Sequence, residues 1–347
     1  MSPISRLEQF NALFPEIQAF RRKQFVDVLF QPKFKNWEDV SVFSREMREK
    51  LQTNISWMSL TESLVQGSTK QDTYKALLET SDGKQIETVL MENRRGWWTI
   101  CVSSQVGCAM KCSFCSTGKM GLTRNLLADE IIDQYRYWVQ FLHEHPELPD
   151  RITNIVFMGM GEPMANYENV RESIRTILEQ TDLGQTRITV STVGMIPRLD
   201  LLINDPLWQH VRLAISLHSA DPKTRKEIVP SSYDDFIPKL IHWSQRYLEK
   251  FGNRRHHLTF EYVMLNGIND TPRHAEQLAK MIHRIGNIRV NLIPYNFTGG
   301  EFQTSSPKTI RDFFEYLDAH GVTVTKRKTM GEDIDAACGQ LYASTNK

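Results

Sequence analysis

Residues 98–118 read WTICVSSQVGCAMKCSFCSTG and carry the strongest local signal in the chain. The stretch opens with β-branched and apolar residues, which predict a strand over Trp98 to Ser103. Three cysteines follow directly, at positions 108, 112 and 115, with the spacing C-x3-C-x2-C. We therefore predict a strand that delivers three thiols onto one short loop.

Beyond this stretch, short β-branched runs alternate with longer helical patterns, which is typical of βα units with a parallel sheet. Further strands are predicted at Ile152 to Met158, Arg187 to Ser191, Val211 to Leu217, Leu258 to Met264 and Ile288 to Ile293. Apolar spacing predicts a helix over Ala128 to His143, and Thr271-Pro272 is a typical helix start. The prediction is an α/β fold, a barrel or partial barrel of about six units, with its active site at the carboxyl ends of the strands.

The first hundred residues differ in hydrophobic pattern from the rest of the chain. Residues 1–70 are predicted to form a small helical accessory domain, and residues 71–96 a linking hairpin around Ser81-Asp82-Gly83, so that the barrel occupies residues 97–347. Between residues 21 and 50, eight basic residues outnumber five acidic ones. So modest an excess is usual for a solvated face, and an RNA-docking face is the alternative interpretation.

Composition limits the classes of protein to consider. Of 347 residues, 40% are hydrophobic and 24% charged, which excludes disordered, collagen-like and coiled-coil proteins. The formal charge of +1 means that any nucleic-acid surface must be local. The chain has no run of about 18 apolar residues and no signal-peptide pattern, so we expect a cytoplasmic protein without membrane contact. Five unevenly spaced cysteines fit a reducing compartment, with metal-binding or catalytic thiols.

The cysteine loop predicts an iron–sulfur cluster. Soft thiolates at this density select iron–sulfur clusters or zinc, and a structural zinc site closes with four ligands that usually come as two pairs. Here the loop holds three cysteines. Three ligands on a cluster of four irons leave one iron free to bind the amino and carboxylate groups of S-adenosylmethionine (SAM). A zinc ribbon is the alternative.

Three segments together resemble the radical SAM RNA methyltransferases of the RlmN and Cfr family. They are Cys101 to Gly118, Gly159-Met-Gly-Glu162-Pro163 and Asp333-Ile-Asp-Ala-Ala-Cys338-Gly-Gln. The resemblance extends over about residues 86–342, with the motifs in the family's order. It implies a partial (β/α)6 radical SAM barrel and one [4Fe-4S] cluster held by Cys108, Cys112 and Cys115.

The resemblance also implies a covalent mechanism that uses two SAM molecules in ping-pong order. Cys338 matches the cysteine that one SAM molecule methylates, after which a radical from the second SAM molecule activates that methyl group for addition to adenine. Cys101 matches the resolving thiol, which forms a transient disulfide with Cys338, and Glu87 matches the proton acceptor. Considered alone, Cys101 would be read as a small buried strand residue and Glu87 as an exposed one. The spacer between them is one residue longer than the family pattern leads us to expect.

Residues that match cofactor contacts of the family stand at predicted carboxyl ends of strands. They are Gly161, Glu162, Ser191, Ser216, Leu217, His218 and Asn296. A single Ser or Asn at such a place is more often a loop cap, but several strand ends converge here. Candidate phosphate contacts are Arg124, Arg254, Arg255 and the run Lys326-Arg327-Lys328, of which the run is favoured because it precedes Cys338.

Pro163 and the loop Cys-Ala-Met-Lys-Cys resemble RlmN more than Cfr. The resemblance therefore implies a monomeric enzyme that methylates carbon 2 of the peptidyl-transferase-centre adenosine in 23S rRNA and of the adenosine 3′ of the anticodon in tRNA, with a flavodoxin-type electron donor. Methylation of carbon 8, which confers antibiotic resistance, is the alternative within the family. Pro230-Ser231-Ser232 stands where the family has Pro-Ile-Asn, which leaves the tRNA substrate open. A non-enzymatic zinc or iron–sulfur RNA-binding module is the alternative outside the family, and it predicts no role for Cys338.

Overall fold

The computed structural model describes residues 5–93, 95–252 and 258–342. Within these ranges the strands are β1 Leu60–Gly67, β2 Thr73–Thr80, β3 Gln85–Glu92, β4 Trp98–Cys101, β5 Gln105–Cys108, β6 Gly121–Asn125, β7 Ile152–Phe157, β8 Ile188–Thr192, β9 Arg212–Ser216, β10 Leu258–Met264, β11 Arg289–Pro294 and β12 Thr323–Lys326. The α-helices are α1 Arg6–Leu13, α2 Ala19–Leu29, α3 Arg45–Asn54, α4 Ser116–Met120, α5 Ala128–Glu144, α6 Tyr167–Gln180, α7 Ile196–Asn204, α8 Pro222–Ile228, α9 Phe236–Phe251, α10 Pro272–Ile285 and α11 Pro307–Ala319.

Ten strands form one sheet in the order β1-β2-β3-β4-β7-β8-β9-β10-β11-β12. From β4 to β12 the neighbouring strands pair in parallel, with helices in the connections. No ladder joins β12 back to β1 among the described residues, so the sheet stays open and the barrel is partial. The predicted α/β fold with a partial parallel barrel is confirmed.

The six predicted parallel strands are present, each within two residues of its predicted ends. The sequence analysis missed a seventh, β12, which pairs in parallel with β11. Its residues, Thr-Val-Thr-Lys, are few and alternate between apolar and polar, so they give no signal of a buried strand. The helix predicted from residue 128 is α5, and Thr271 is the N-cap of α10, with Pro272 in its first turn.

The N-terminal region differs from its prediction at one end. Its α-helices stop at Asn54, and β1 occupies residues that were predicted to be helical. The predicted hairpin is present as β2 and β3, but it is not a separate linker. Its strands extend the main sheet, because β1, β2, β3 and β4 pair antiparallel with one another in succession.

The chain packs around two main apolar cores. The larger one fills the space between the sheet and its helices, and α5 contributes Ile131, Trp138 and Leu142 to it. The smaller one joins α1, α2 and α3, where the ring of Phe25 stacks on Phe10 at 4.1 Å and on Trp37 at 5.1 Å between centroids. No helix in the described ranges has both the length and the apolarity needed to cross a membrane.

Candidate active site

The cysteine loop is held by a small antiparallel ribbon of β5 and β6. Gly107 lies at φ +76°, and a Cβ atom there would come within 1.9 Å of the Gly121 carbonyl oxygen, so only glycine allows the two strands to pair. The backbone N–H of Cys115 donates to the carbonyl of Cys112 at 3.1 Å, which curls the end of the loop. The ribbon therefore presents the three predicted thiols from a rigid base.

The three loop thiols are close enough to influence one another electrostatically. Burial, and to a smaller extent the neighbouring Cys115 sulfur, raises the pKa of Cys108 to about 12. Burial raises the pKa of Cys112 and of Cys115 as well. Thiols in such surroundings become thiolates when they bind a cation, which is the chemistry of iron and zinc sites.

The donor set on the loop is three thiols. Cys108 and Cys112 are buried and Cys115 is half-buried. In a cubane cluster each cysteine binds a different iron, so its sulfurs stand farther apart than those around zinc. Three soft donors on one short loop fit a [4Fe-4S] cluster.

A buried arginine that sequence reasoning missed lies beside the loop. Arg225 is 1% exposed, and its charge acts on Cys112. Its guanidinium donates to the carbonyls of Ser216 at 2.9 Å, Val193 at 2.6 Å and Leu217, and it stacks on the Phe236 ring. Burial lowers the pKa of Arg225 to about 9. Nothing in the local sequence signalled this, because arginines on short helices are ordinarily exposed.

Gly161 and Glu162 follow β7 at the carboxyl edge of the sheet. Gly161 has φ +101°, and a Cβ atom there would lie 2.5 Å from the Cβ atom of Gln105. The Glu162 carboxylate accepts from the backbone N–H groups of Met164 at 2.9 Å and Val193 at 2.8 Å. Burial raises the pKa of Glu162. The carboxylate is therefore fixed in place next to the cysteine loop, where its charge acts on Cys108.

The other predicted cofactor residues lie along the same edge. The hydroxyl oxygens of Ser191 and Ser216, at the ends of β8 and β9, are 3.2 Å apart. His218 has φ +58°, and its Nδ1 atom accepts from the Val263 N–H at 3.1 Å, while burial lowers its pKa to about 3. Leu217 is fully buried, and its carbonyl accepts from Arg225. The structure thus places these residues together at the carboxyl edge of the sheet.

The C-terminal segment of residues 337–342 folds over the cysteine loop. The carbonyl of Cys338 accepts from Asn296 Nδ2 at 3.0 Å, and the carbonyl of Gly339 accepts from the Ser116 N–H at 2.8 Å. The Thr117 hydroxyl donates to the Leu341 carbonyl at 2.7 Å. These bonds join the last part of the chain to the helix that follows the third cysteine, so Cys338 lies beside the cluster loop.

Cys101 and Cys338 come within electrostatic range of each other, although they are far apart in the chain. The Arg327 guanidinium lies beside both sulfurs, and the two thiols contribute to raising the pKa of Arg327. Burial raises the pKa of Cys101 to about 12, and Arg327 partly opposes this effect. A cavity of about 170 Å³ opens at Cys338, with Arg327 and Asn296 in its wall. All five cysteines are free thiols in this structure.

Glu87 is buried on β3, contrary to what its sequence alone suggests. Its Oε2 atom accepts from the Tyr342 N–H at 2.6 Å, and its Oε1 atom lies 3.0 Å from Lys75 Nζ. The structure therefore brings Glu87 to the C-terminal segment, four residues beyond Cys338.

The candidate phosphate contacts divide into three groups. Arg124 is ion-paired, since its Nη2 atom lies 2.7 Å from Asp82 and 2.8 Å from Glu130, which counts against it as a phosphate contact. Arg327 turns inward to the two thiols, whereas Lys326 and Lys328 are exposed. Arg254 and Arg255 lie outside the described residues.

Comparison with known proteins identifies the family. Residues 102–282 match the model of the radical SAM superfamily, which is more than half of the chain. The chain belongs to the radical SAM superfamily. Members of this superfamily bind a [4Fe-4S] cluster and SAM, and Cys108, Cys112 and Cys115 are the three thiols on one loop that could hold the cluster.

One solved structure agrees with this assignment, and two more distant ones are similar only in part. A radical SAM methyltransferase from Sphaerobacter thermophilus is 38% identical, with a TM-score of 0.89 over 97% of this chain and 96% of that one. SuiB from Streptococcus suis, bound to SAM, matches at 14% identity and a TM-score of 0.43 over 66% of this chain and 47% of that one. A domain of pyruvate-formate lyase-activating enzyme from Bacteroides vulgatus matches at 16% identity and a TM-score of 0.39 over 51% of this chain and 99% of that one.

Proposed function

We propose that this radical SAM protein is a methyltransferase that adds a methyl group to carbon 2 of adenosine in 23S rRNA, at the peptidyl-transferase centre. The adenosine 3′ of the anticodon in tRNA is its proposed second target. One observation carries the proposal: two thiols outside the cluster loop, Cys101 and Cys338, lie in electrostatic range of each other and of one guanidinium, beside that loop. A protein that used its cysteines only as a scaffold would have no need of this pair.

When bound, the cluster and SAM supply one electron and a carbon radical able to remove hydrogen from a methyl group. In the proposed reaction the Cys338 thiolate accepts a methyl group as a nucleophile. The Arg327 guanidinium places a positive charge beside this sulfur. Asn296 holds the Cys338 carbonyl, which keeps the residue at the cavity of about 170 Å³ where the adenine would enter.

Release of the product uses the second thiol. After the sulfur-bound carbon has added to adenine, the Cys101 thiolate attacks the Cys338 sulfur. An S–S bond forms as the S–C bond to the base breaks, the carbon-2 proton passes to a base, and the released CH2 carbon takes up a proton to become the methyl group. The one electron that is given up would pass to the bound cluster in its oxidised state. Glu87 is the proposed proton acceptor, since it is a buried carboxylate on the strand next to that of Cys101. The disulfide is then reduced by an external thiol.

The proposed partners follow from this chemistry. The cluster needs a one-electron donor, for which we propose a flavodoxin-type protein. To reach Cys338, the adenine must unstack from its neighbouring bases, so the RNA must present it unpaired or flipped out of its helix. The similarity to the Sphaerobacter thermophilus radical SAM methyltransferase supports methyl transfer.

The test is mass spectrometry of nucleosides from 23S rRNA and tRNA incubated with reconstituted enzyme, SAM and a reductant. We expect 2-methyladenosine from the wild type and none from Cys338→Ala. The variant Cys101→Ala should accumulate RNA bound covalently to protein, and the double variant Cys101→Ala/Cys338→Ala is its matched control, which should trap none. Methylation at carbon 8 would reject the position proposed here, and trapping in the double variant would reject Cys338 as the attachment site.

A further inference from the structure

The interior of the partial barrel is hollow and polar at the amino ends of its strands. Closed barrels of this kind fill their interior with branched apolar side chains. Here a cavity of about 740 Å³ is lined on neighbouring strands by Thr189, Arg212, Thr259, Arg289 and Asn291. A cavity of this size falls in the range of ligand sites, about 300–1,000 Å³.

Strand register places these two arginines two residues apart along the sheet, because Thr259 also pairs with Ala214 of β9, two residues beyond Arg212. Thr189 of β8 pairs with Arg212 of β9, and Thr259 of β10 pairs with Arg289 of β11. The neighbours Leu213 and Val290 are fully buried under the helices, and because side chains alternate along a strand, both guanidiniums face the cavity. With β10 between them, their strands are about 10 Å apart, which two long side chains can span to meet one ligand.

In the described part of the chain, Arg212, Arg289 and Arg187 make no ion pair. Burial lowers the pKa of Arg212, and the like charges of Arg187 and Arg289 lower it further. Three carboxylates, Asp72, Glu92 and Glu261, also line the cavity, and Glu261 is bound by Asn291 and faces Arg327. Neighbouring guanidiniums that make no ion pair form a site suited to an anion.

This cavity continues into the cavity at Cys338. Both are lined by Glu92, Arg327, Lys328 and Met330. Ile293 lies in the wall at Cys338, four residues from Arg289 on β11, which is roughly 13 Å at 3.3 Å per residue. The open side of the sheet, between β12 and the hairpin, gives a chain-like ligand access to both ends.

We propose that Arg212 and Arg289, with Arg187 beside them, form a phosphate site for the RNA strand whose target base reaches Cys338. The inference rests on the proposed function and deepens it, because it assigns a second contact for a single-stranded flank of the substrate. Guanidinium groups bind phosphate through two parallel hydrogen bonds, which makes paired arginines the appropriate side chains.

The test measures the salt dependence of RNA binding. The reconstituted full-length chain is titrated with a labelled single-stranded RNA between about 50 and 300 mM salt, by fluorescence anisotropy. Each phosphate contact on a single strand contributes about 0.7 to the slope of log K against log salt, so Arg212→Gln/Arg289→Gln should lower the slope by about 1.4. Each single variant should lower it by about 0.7.

The matched control is Arg284→Gln/Arg311→Gln, which removes two exposed charges from the outer helices α10 and α11 and should leave the slope unchanged. An unchanged slope in the barrel variants would overturn the proposal. The proposal would also be overturned if the wild type bound pyrophosphate, the barrel variants lost that binding, and the RNA slope stayed the same. The site would then bind a free anion instead of RNA.

A methylation assay on the same samples separates this inference from the proposed function. If the wild type binds RNA through these arginines and forms no methyladenosine, the phosphate site stands and the proposed reaction fails. If methyladenosine forms and the slope does not change, the reaction stands and the phosphate site fails.

Discussion

At the scale of single residues, the buried pair of Lys75 and Glu87 joins the antiparallel strands to the C-terminal segment. Lys75 Nζ lies 3.0 Å from Glu87 Oε1, and the two side chains are 11% and 6% exposed. Lys75→Met would leave the carboxylate buried without its partner. We expect it to lower the free energy of unfolding by about 3–5 kcal/mol, measured by urea denaturation.

The control for this variant is Lys280→Met. Lys280 also pairs with a carboxylate, Glu276, at 2.6 Å, but its side chain is 71% exposed. Exposed pairs contribute little, so the midpoint of denaturation should scarcely move. Equal losses in the two variants would mean that the burial of Glu87 has no energetic consequence.

Gly161 is the second residue whose substitution has a definite expected result. Alanine there would have to adopt φ +101° and would place its Cβ atom 2.5 Å from that of Gln105. Strain of roughly 1–3 kcal/mol in the loop beside Glu162 should weaken SAM binding by about tenfold or more. Isothermal titration of SAM into the reconstituted Gly161→Ala variant measures this.

Gly184→Ala is the matched glycine control. Gly184 has φ −85°, and no atom beyond its chain neighbours lies within 4 Å of the position that an alanine Cβ would take, so SAM affinity should be unchanged. If Gly161→Ala bound SAM as the wild type does, the cofactor would have to lie away from the loop after β7.

At the scale of secondary-structure elements, Arg124 ties the hairpin turn to the barrel. It bridges Asp82, between β2 and β3, to Glu130 in the first turn of α5. Arg124→Ala should speed hydrogen exchange in residues 81–84 by about fivefold, as expected for a partly exposed ion pair worth about 1 kcal/mol. RNA affinity should stay the same, since two carboxylates already balance this charge.

Arg175→Ala provides the comparison for the hairpin. Arg175 also bridges two carboxylates, Glu172 and Glu179, but all three lie on α6. Its removal should leave exchange at the turn unchanged. A loss of RNA affinity in Arg124→Ala alone would restore Arg124 as a phosphate contact.

At the scale of the whole molecule, one buried carboxylate joins the N-terminal helices to the barrel. Asp133 on α5 accepts from Arg6 of α1, from Arg136 and from the Ser59 backbone N–H. Arg136 in turn donates to the Leu29 carbonyl at 2.7 Å. Asp133→Asn removes the negative charge between two buried guanidiniums, and we expect a loss of about 3–5 kcal/mol of unfolding free energy.

The pH dependence of this loss has a definite sign. Burial alone would raise the pKa of Asp133, but Arg6 and Arg136 outweigh it and hold the pKa below its ordinary value. The stabilisation is therefore present above the unfolded pKa of about 3.9 and is lost as the pH falls below it. The difference between wild type and Asp133→Asn should be constant from pH 7 to about pH 5 and shrink in more acidic solution.

Glu168→Gln is the control for both measurements. Glu168 pairs with Arg198 at 3.2 Å, but its side chain is 65% exposed, so neither the midpoint at neutral pH nor its acid dependence should change appreciably. A pH-independent loss in Asp133→Asn would mean that the carboxylate stabilises the junction by packing alone.

Local patterns were enough to predict much of the barrel. Runs of apolar residues such as those of β10 are buried on a parallel sheet, and the burial of α5 follows its apolar spacing, so each element carries its own signal. Short or polar elements carry none, which explains why the sequence predicts helix over β1 and gives no signal for β12.

The βα order and the cysteine spacing can be read from the chain alone, because both depend on residues that are neighbours in the chain. Folding is what brings Cys338 within electrostatic range of Cys101, pairs Arg124 with two carboxylates, and turns Arg225 and Arg327 inward. These contacts depend on strand register and on the path of the C-terminal segment. A charge or a thiol acquires its partner only when packing brings distant parts of the chain together, and no local pattern records that.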